Sequence, residues 1–522
     1  MLKVFSHLKI YHRLNTRLYS SLSALKEDII EPSRTLTKET MNPNVRDAEY
    51  AVLGELPARA EMIEKACLCT IQAGQNKFKF DNVVYCNIGN PHIFNQKPIT
   101  FFRQVSSLCE NPDLLKIENR QLVSKLYPSD AIARAEILLK NIGFLGAYSD
   151  SKGVPHIRQN IARFIESRDG YPADPDTIFL TQGASEGIHR VLQLLHQPNH
   201  HQKTGVMIPI PQYPIYTACL QLMGAEPVPY YLNEQKNFAI DLSRLEKSLR
   251  MAREQNVNVR ALAVINPGNP TGQCLPEENI REVIQFCHEN GLIAMADEVY
   301  QANVFHPQDH PFHSFKKVLR SMGPKYDHQE LFSFHSTSKG MVGECGRRGG
   351  YVECVNIDPA VLQEFYKIFC MFSCANVQGQ IMVDLMTNPP TEGDASYPQF
   401  KAEIDAIHTS YHRRAKRLTD CFNRLEGVVC EEAKGAMYLF PRITLPPKAI
   451  REAKRAGMSP DSFYAMALLE ATGVCVVPGS GFGQEPGTLH IRCSFLPEES
   501  LFDTFCKNIE RFHKEFMTKY KD

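Results

Sequence analysis

The sequence predicts an α/β protein in which helices cover both faces of a central sheet. Short runs of strand-forming residues alternate with helical stretches, which is the pattern of such folds. The chain has 522 residues, of which 43% are hydrophobic, enough for two domains with cores of their own. The predicted strands of the sheet cover residues 177–181, 205–210, 261–265, 292–296, 331–334 and 350–355.

Charge and composition exclude several classes of function. The 58 Lys and Arg residues equal the 58 Asp and Glu residues, so no net field attracts nucleic acid or an anionic membrane. No apolar run approaches the roughly 18 residues that a membrane-spanning helix needs. The 16 cysteines are scattered, without the pairing of small secreted domains or the spacing of a zinc site, so we expect free thiols and no metal. A small-molecule substrate fits this neutral composition.

The first 25 residues differ from the rest of the chain. They contain four bases and recurrent serines, whereas the first acidic residue is Glu27. This composition predicts a mitochondrial transit peptide that is cleaved near Tyr19, and therefore a protein of the mitochondrial matrix. A disordered N-terminal tail is the alternative interpretation, and an internal start such as Met41 leaves open an additional cytosolic form.

A predicted helix over residues 184–195 follows the strand 177–181. Apolar residues recur in it at helical spacing, and Gln182 and Gly183 break the strand before it. A helix that begins at such a loop offers backbone N–H groups and the positive end of its dipole to a phosphate. Ser185 can add its hydroxyl. Taken alone, the same pattern is an ordinary strand-to-helix turn.

Asp297, Lys339 and Arg492 are charged residues in or next to apolar, strand-like runs. Asp297 ends the apolar run 292–297, at the edge where open α/β sheets bind ligands, and a carboxylate there needs a cationic partner. The run 332–338 breaks into small hydroxyl residues and is followed by Lys339, which is well placed for imine chemistry. Arg492 lies in an apolar strand, where it would pair with a carboxylate.

Four motifs occur in a fixed order along the chain. They are Asn-Pro-Gly-Asn-Pro-Thr-Gly at 266–272, Asp-Glu-Val-Tyr at 297–300, Ser-Thr-Ser-Lys at 336–339 and Leu-His-Ile-Arg at 489–492. Together they resemble the fold-type I pyridoxal-phosphate aminotransferases. Segments 45–54, 98–105, 179–185 and 343–351, the last with Gly-Glu-Cys-Gly, are similar to the alanine aminotransferase branch of that superfamily. The resemblance covers nearly all of the chain after the first few dozen residues.

This resemblance implies a division into domains. A large domain would contain a mostly parallel mixed sheet flanked by helices, and a smaller α+β domain would be built from both chain ends. The expected bounds are 1–25 for the transit peptide, 26–126 for the N-terminal segment and part of the small domain, 127–388 for the large cofactor-binding domain and 389–522 for the rest of the small domain.

The resemblance also implies roles for single residues toward pyridoxal 5′-phosphate. Lys339 would hold the cofactor as an imine and move the substrate proton, Asp297 would pair with the pyridine nitrogen, and Tyr300 would bind the 3′-oxygen; these three are the expected catalytic residues. Further cofactor contacts are expected from Asn269 at the 3′-oxygen, Tyr213 on the ring face, and Ala184, Ser185, Ser336, Ser338 and Arg347 around the phosphate. Arg347 is preferred to the adjacent Arg348 because of its spacing from the lysine.

Substrate contacts and assembly follow from the same resemblance. Arg492 would bind the substrate α-carboxylate under a loop that contains Gly89, with Asn269 beside it. Tyr148 would reach the phosphate in the neighbouring subunit, which implies a homodimer with shared active sites. Arg59 and Arg103 are candidates for the distal carboxylate of 2-oxoglutarate, and the sequence leaves that assignment open.

The implied reaction transfers the amino group of L-alanine to 2-oxoglutarate, giving pyruvate and L-glutamate in a ping-pong cycle. An aminotransferase for aromatic amino acids or kynurenine, or a lyase-like relative, shares the same central residues and is the alternative among enzymes. A non-catalytic scaffold is the alternative outside them.

Overall fold

The computed structural model describes residues 34–48, 54–72 and 78–521. The expected transit peptide, with its cleavage near Tyr19, lies outside these residues. The chain falls into two compact units, Met1–Ala48 and Glu49–Asp522. In the first unit a short helix, α1 (Pro43–Asp47), begins after Asn42, whose side chain accepts a hydrogen bond of 2.9 Å from the backbone N–H of Asn44.

The second unit contains the remaining elements that the structure describes. Its strands are β1 (Val84–Tyr85), β2 (Ile178–Thr181), β3 (Lys203–Ile210), β4 (Glu226–Tyr231), β5 (Val257–Ile265), β6 (Ile293–Asp297), β7 (Leu331–Ser336), β8 (Gly350–Val355), β9 (Val428–Val429), β10 (Tyr438–Leu439), β11 (Arg442–Ile443), β12 (Val474–Cys475), β13 (Val477–Pro478) and β14 (Ile491–Ser494). Its helices are α2 (Glu55–Gln72), α3 (Thr100–Glu110), α4 (Arg120–Leu126), α5 (Ser129–Ile142), α6 (Pro155–Asp169), α7 (Ala184–Leu195), α8 (Ile215–Met223), α9 (Leu242–Glu254), α10 (Glu277–Asn290), α11 (Phe315–Ser321), α12 (Pro359–Cys370), α13 (Val377–Thr387), α14 (Tyr397–Asn423), α15 (Pro447–Arg455), α16 (Pro460–Thr472) and α17 (Phe502–Lys519).

A seven-stranded sheet forms the centre of this unit. Its strand order is β2-β8-β7-β6-β5-β3-β4. All neighbours are parallel except that β8 runs antiparallel to both β2 and β7. The six predicted strands are present in it, and the mostly parallel, mixed sheet confirms the predicted α/β class. Strand β4 was not predicted.

Helices bury both faces of the sheet. In β5, Ala261, Ala263 and Ile265 join a core that includes residues of α7 and α8. The alternate residues Leu262 and Val264 join a separate core with α9 and α10. Because both faces are buried, the strands read in the sequence as continuous apolar runs.

Smaller sheets and long helices follow in the C-terminal part of the unit. A three-stranded sheet has the order β10-β14-β13, and β1 pairs with β12 in parallel. Helix α14 has 27 residues and α17 closes the described chain. Within the described ranges, no helix is both long and apolar enough to cross a bilayer.

Candidate active site

A cavity of about 640 Å³ opens at the carboxyl edge of β5, β6 and β7. Parallel strands end at this edge, so side chains from sequence-distant loops meet there. Of the predicted site residues, Arg347, Tyr148 and the two candidates Arg59 and Arg103 do not line this cavity. The others do, namely Gly89, Ala184, Ser185, Tyr213, Asn269, Asp297, Tyr300, Ser336, Ser338, Lys339 and Arg492.

Lys339 follows the end of β7 and points into this cavity. Its Nζ donates a hydrogen bond of 2.8 Å to the carbonyl oxygen of Gly89. A Cβ atom at position 89 would lie 2.0 Å from the hydroxyl oxygen of Tyr438 and 3.0 Å from the lysine Nζ. Only glycine therefore lets this backbone segment approach the lysine.

Asp297 is the last residue of β6 and is 4% exposed. Its two oxygens accept long hydrogen bonds of 3.4 Å from the Tyr216 hydroxyl and from the Val299 backbone N–H. Burial raises the pKa of the carboxyl group to about 6, although these hydrogen bonds and the charge of Lys339 act in the opposite direction. A buried carboxylate with such weak partners is suited to a cationic ligand group.

Tyr300 and Asn269 meet on the wall of the same cavity. The Asn269 amide nitrogen donates to the Tyr300 hydroxyl at 3.4 Å, and the Tyr300 hydroxyl lies 3.4 Å from that of Tyr438. The two tyrosine rings pack edge to face, with centroids 6.0 Å apart. These three polar ends converge on one region of the cavity.

Arg492 lies on β14 and is also 4% exposed. Its Nη1 donates to the Asn269 side-chain oxygen at 3.3 Å and its Nη2 to the Asn87 carbonyl at 2.5 Å. The guanidinium carbon lies 4.3 Å from the ring centroid of Tyr438 and 4.6 Å from that of Phe482. Its Nε is buried without a hydrogen-bond partner, and no acidic side chain in the described residues pairs with it. The group is therefore ready for a carboxylate ligand.

The opposite end of the cavity combines a helix N-terminus with hydroxyl groups. Helix α7 begins directly after Gly183, which has a φ of 89° and gives the helix no side-chain cap. Ser185 lies in its first turn. Ser336 donates to the Gly349 carbonyl at 3.1 Å, and the Ser338 hydroxyl lies 3.4 Å from Nη1 of Arg348. This arrangement can bind a phosphate dianion.

Arg348, and not the predicted Arg347, lines this end of the cavity. Nη1 of Arg347 donates to the Gln378 side-chain oxygen at 3.2 Å, and Arg347 does not line the cavity. Arg348 has a left-handed backbone, with a φ of 56°, and its Nη2 donates to the Gln182 carbonyl at 2.7 Å. The left-handed backbone at Arg348 directs this side chain, and not that of Arg347, toward the cavity.

Other predicted residues lie away from the cavity of this chain. Tyr148 is 84% exposed, so its expected role in a neighbouring subunit stays a prediction. Arg59 and Arg103, the candidates for a distal carboxylate, already form ion pairs with Glu470 at 2.6 Å and with Glu344 at 2.7 Å. Neither arginine lines the cavity.

Sequence reasoning missed several residues of the site. Tyr438 was given no role, although it contacts Gly89, Tyr300 and Arg492. Burial raises the pKa of its phenol, but the charges of Lys339 and Arg492 outweigh burial, and the net shift is downward. No role was predicted for Phe482 either, because a single aromatic residue in a sequence does not indicate contact with a distant arginine.

This site, with a lysine, a buried carboxylate and a buried arginine at the edge of an α/β sheet, is that of a pyridoxal-phosphate transferase. Residues 115–509 match the family model for aminotransferases of class I and II. The chain belongs to this family, whose members use pyridoxal phosphate.

Known proteins resemble the chain over most of its length. It is 48% identical to a probable mitochondrial alanine aminotransferase of Dictyostelium discoideum, over 94% of this chain and 90% of that protein. It is also 48% identical to glutamate–glyoxylate aminotransferase 2 of Arabidopsis thaliana, over 94% and 98% of the two chains. An alanine aminotransferase structure from Pyrococcus furiosus matches with a TM-score of 0.70 at 21% identity, over 91% and 99% of the chains. That last likeness shows the fold alone.

Proposed function

We propose that this enzyme transfers the amino group of L-alanine to 2-oxoglutarate, forming pyruvate and L-glutamate. The observation that carries the proposal is the buried guanidinium of Arg492, which shares one cavity with Lys339 and has no acidic partner among the described residues. Every amino acid and 2-oxo acid brings an α-carboxylate that can complete this pair. The name of the Dictyostelium relative supports alanine as the amino donor.

Pyridoxal phosphate, when bound, withdraws electrons from the substrate α-carbon and makes its proton acidic. The residues present fit this group. Asp297 suits the protonated pyridine nitrogen, because a cation there compensates a carboxylate that burial otherwise disfavours. Ser185, Ser338 and Arg348, with the N-terminus of α7, suit the phosphate.

The remaining cofactor contacts follow from the walls of the cavity. We assign the ring face to Tyr213 and the 3′-oxygen to Tyr300 and Asn269, whose polar groups converge there. Ala184 and Ser336 complete the phosphate end. Together these residues would hold the cofactor in one orientation within the cavity.

Lys339 is the mobile base in this proposal. Its Nζ reaches the cavity, where the Gly89 carbonyl accepts a hydrogen bond from it. That carbonyl can hold the amine close to the substrate α-carbon, where Nζ takes the α-proton of the amino acid in one half-reaction and delivers a proton to the α-carbon of the oxo acid in the other. The lack of a side chain at Gly89 keeps the short path between lysine and substrate open.

Arg492 orients the substrate. The rings of Tyr438 and Phe482 hold its guanidinium plane, and Asn269 and the Asn87 carbonyl occupy two of its N–H groups. A guanidinium fixed in this way binds a carboxylate in one orientation and at little entropic cost. The substrate α-hydrogen can then be presented toward Lys339.

Glyoxylate is a second candidate for the amino acceptor. The Arabidopsis relative that is named for glutamate and glyoxylate is as similar to this chain as the Dictyostelium relative. A comparison of kcat/KM for glyoxylate and for 2-oxoglutarate, with L-alanine as the donor, distinguishes the two acceptors.

The test of the main proposal is the absorbance of the purified holoenzyme before and after L-alanine is added alone. We expect the visible cofactor band to shift toward the near ultraviolet, and 2-oxoglutarate to reverse the shift. Lys339→Ala is the matched control and should show no such cycle. A band that alanine leaves unchanged but an aromatic amino acid or kynurenine shifts would overturn the substrate assignment.

We also propose the assembly and the location of the enzyme. The exposure of Tyr148 supports its contact with the phosphate of a neighbouring subunit in a homodimer. The mitochondrial name of the Dictyostelium relative supports a matrix location and a transit peptide over residues 1–25. We retain a large domain over residues 127–388 and a small domain from 26–126 and 389–522.

A further inference from the structure

A second group of ligand-type side chains lies outside the active-site cavity. His306, His412 and Glu432 each offer one donor atom, and these atoms all lie within 4.8 Å of one another. We propose that this group, the His-His-Glu cluster, binds a divalent transition-metal ion of the zinc type. The sequence predicted no metal, because spacing along the chain does not show that these three residues meet.

The cluster is held by regular backbone contacts. His306 and Glu432 lie on neighbouring segments, which are joined by a 2.9 Å hydrogen bond from the Phe305 N–H to the Lys434 carbonyl. His412 projects from α14, and its ring lies perpendicular to that of His306, with centroids 4.6 Å apart. Three elements therefore bring the donors together.

His306 and Glu432 direct their donor atoms toward each other. Nε2 of His306 is buried without a hydrogen bond. Oε1 of Glu432 lies 3.5 Å from that nitrogen, whereas Oε2 of Glu432 lies 3.9 Å from Nζ of Lys434. One carboxylate oxygen thus faces the imidazoles, and the other faces a cation.

Two imidazoles and one carboxylate form a ligand set that zinc uses in proteins, with a water molecule as the fourth ligand. Ligand atoms of a tetrahedral zinc ion lie about 3.3 Å apart. Nε2 of His306 and Oε1 of Glu432 are already 3.5 Å apart, so the widest separation would close by at most about 1.5 Å, which small side-chain rotations provide. All three residues are half-buried, so an ion and its water can enter from solvent.

One neighbouring histidine stays outside the cluster. His408 is one helical turn away from His412, and its Nε2 lies 2.8 Å from the Val304 carbonyl, which keeps it out of the ligand set.

The cluster lies on segments that lead to the active site. The chain passes from Tyr300 in the cavity to His306 in six residues, and from Glu432 to Tyr438 in six residues. A bound ion would thus tie together the outer ends of the two segments that carry these tyrosines.

Calorimetric titration of the cofactor-loaded enzyme with Zn²⁺ alone tests the proposal. We expect one ion per chain for the wild-type enzyme and at least tenfold weaker binding for His412→Ala and Glu432→Gln. His288→Ala is the control; this histidine packs on Tyr326 and is not part of the cluster, so its loss should leave binding unchanged.

Two results would overturn the proposal. One is no zinc binding to the wild-type enzyme at micromolar concentrations. The other is undiminished binding to both cluster variants, which would assign the ion to thiols or to the cofactor. Glu432→Gln preserves side-chain volume, and unchanged circular dichroism and cofactor absorbance would show that this variant is folded. The test therefore holds even if His412→Ala does not fold.

Discussion

Replacement of Arg492 by lysine tests the proposed substrate clamp most directly. An ammonium group offers one contact to the α-carboxylate where the guanidinium offers two, and a hydrogen bond between charged groups is worth about 1.5–3 kcal/mol. Contact with the two flanking rings, at 4.3 and 4.6 Å from the guanidinium carbon, adds about 0.5–1 kcal/mol that lysine would not recover. The combined loss of about 3 kcal/mol corresponds to a decrease of roughly 100-fold in kcat/KM.

The decrease should apply to the amino acid and to the oxo acid alike, because both carry the α-carboxylate. The assay is steady-state kcat/KM for L-alanine and, separately, for 2-oxoglutarate, with cofactor content checked by absorbance. Arg59→Lys is the matched control, since that arginine is paired with Glu470 and does not line the cavity. A variant at position 492 that keeps either kcat/KM within twofold of the wild-type value would refute the assigned role.

Three further predictions follow from the geometry. Arg348→Gln should weaken cofactor binding to the apoenzyme about 30-fold through the loss of a charge-assisted contact, whereas Arg347→Gln should leave the titration unchanged. Burial raises the pKa of Asp297 to about 6, so the protonated acid favours folding. The free energy of unfolding of the apoenzyme in urea should therefore fall by about 3 kcal/mol as pH rises from about 4 to 6 and then stay level. Asp297→Asn should abolish this pH dependence. Gly89→Ala should reduce kcat roughly 100-fold, because its Cβ would overlap a tyrosine hydroxyl, whereas Gly146→Ala, with open space around it, should be neutral.

Much of the fold could be predicted from the sequence, because strands buried on both faces read as apolar runs between helical stretches. Strand β4 could not be predicted in this way. Its sequence contains Pro227 and Pro229, which read as interruptions of a strand. It lies at the edge of the sheet, where a residue without an N–H group is tolerated, and only the assembled sheet reveals that position.

The candidate site was predicted where a motif and a strand end coincide, as at Asp297 and Lys339. Spacing along the chain favoured Arg347, but spacing does not report the left-handed backbone at Arg348, which is the arginine that lines the cavity. Tyr438 was missed for a different reason. Its contacts with Gly89 and Arg492 depend on tertiary packing between distant segments, for which one sequence holds no local signal.

The hydrogen bond from Arg492 to the Asn87 carbonyl joins positions 405 residues apart. The site thus draws its lysine from the middle of the chain and its substrate clamp from segments near both ends. A nascent chain that emerges from the ribosome N-terminus first lacks Arg492 until residue 492 has been made. The proposed substrate clamp is therefore completed only after the lysine at position 339 has been in place for about 150 further residues, and a chain that stops before Arg492 lacks it.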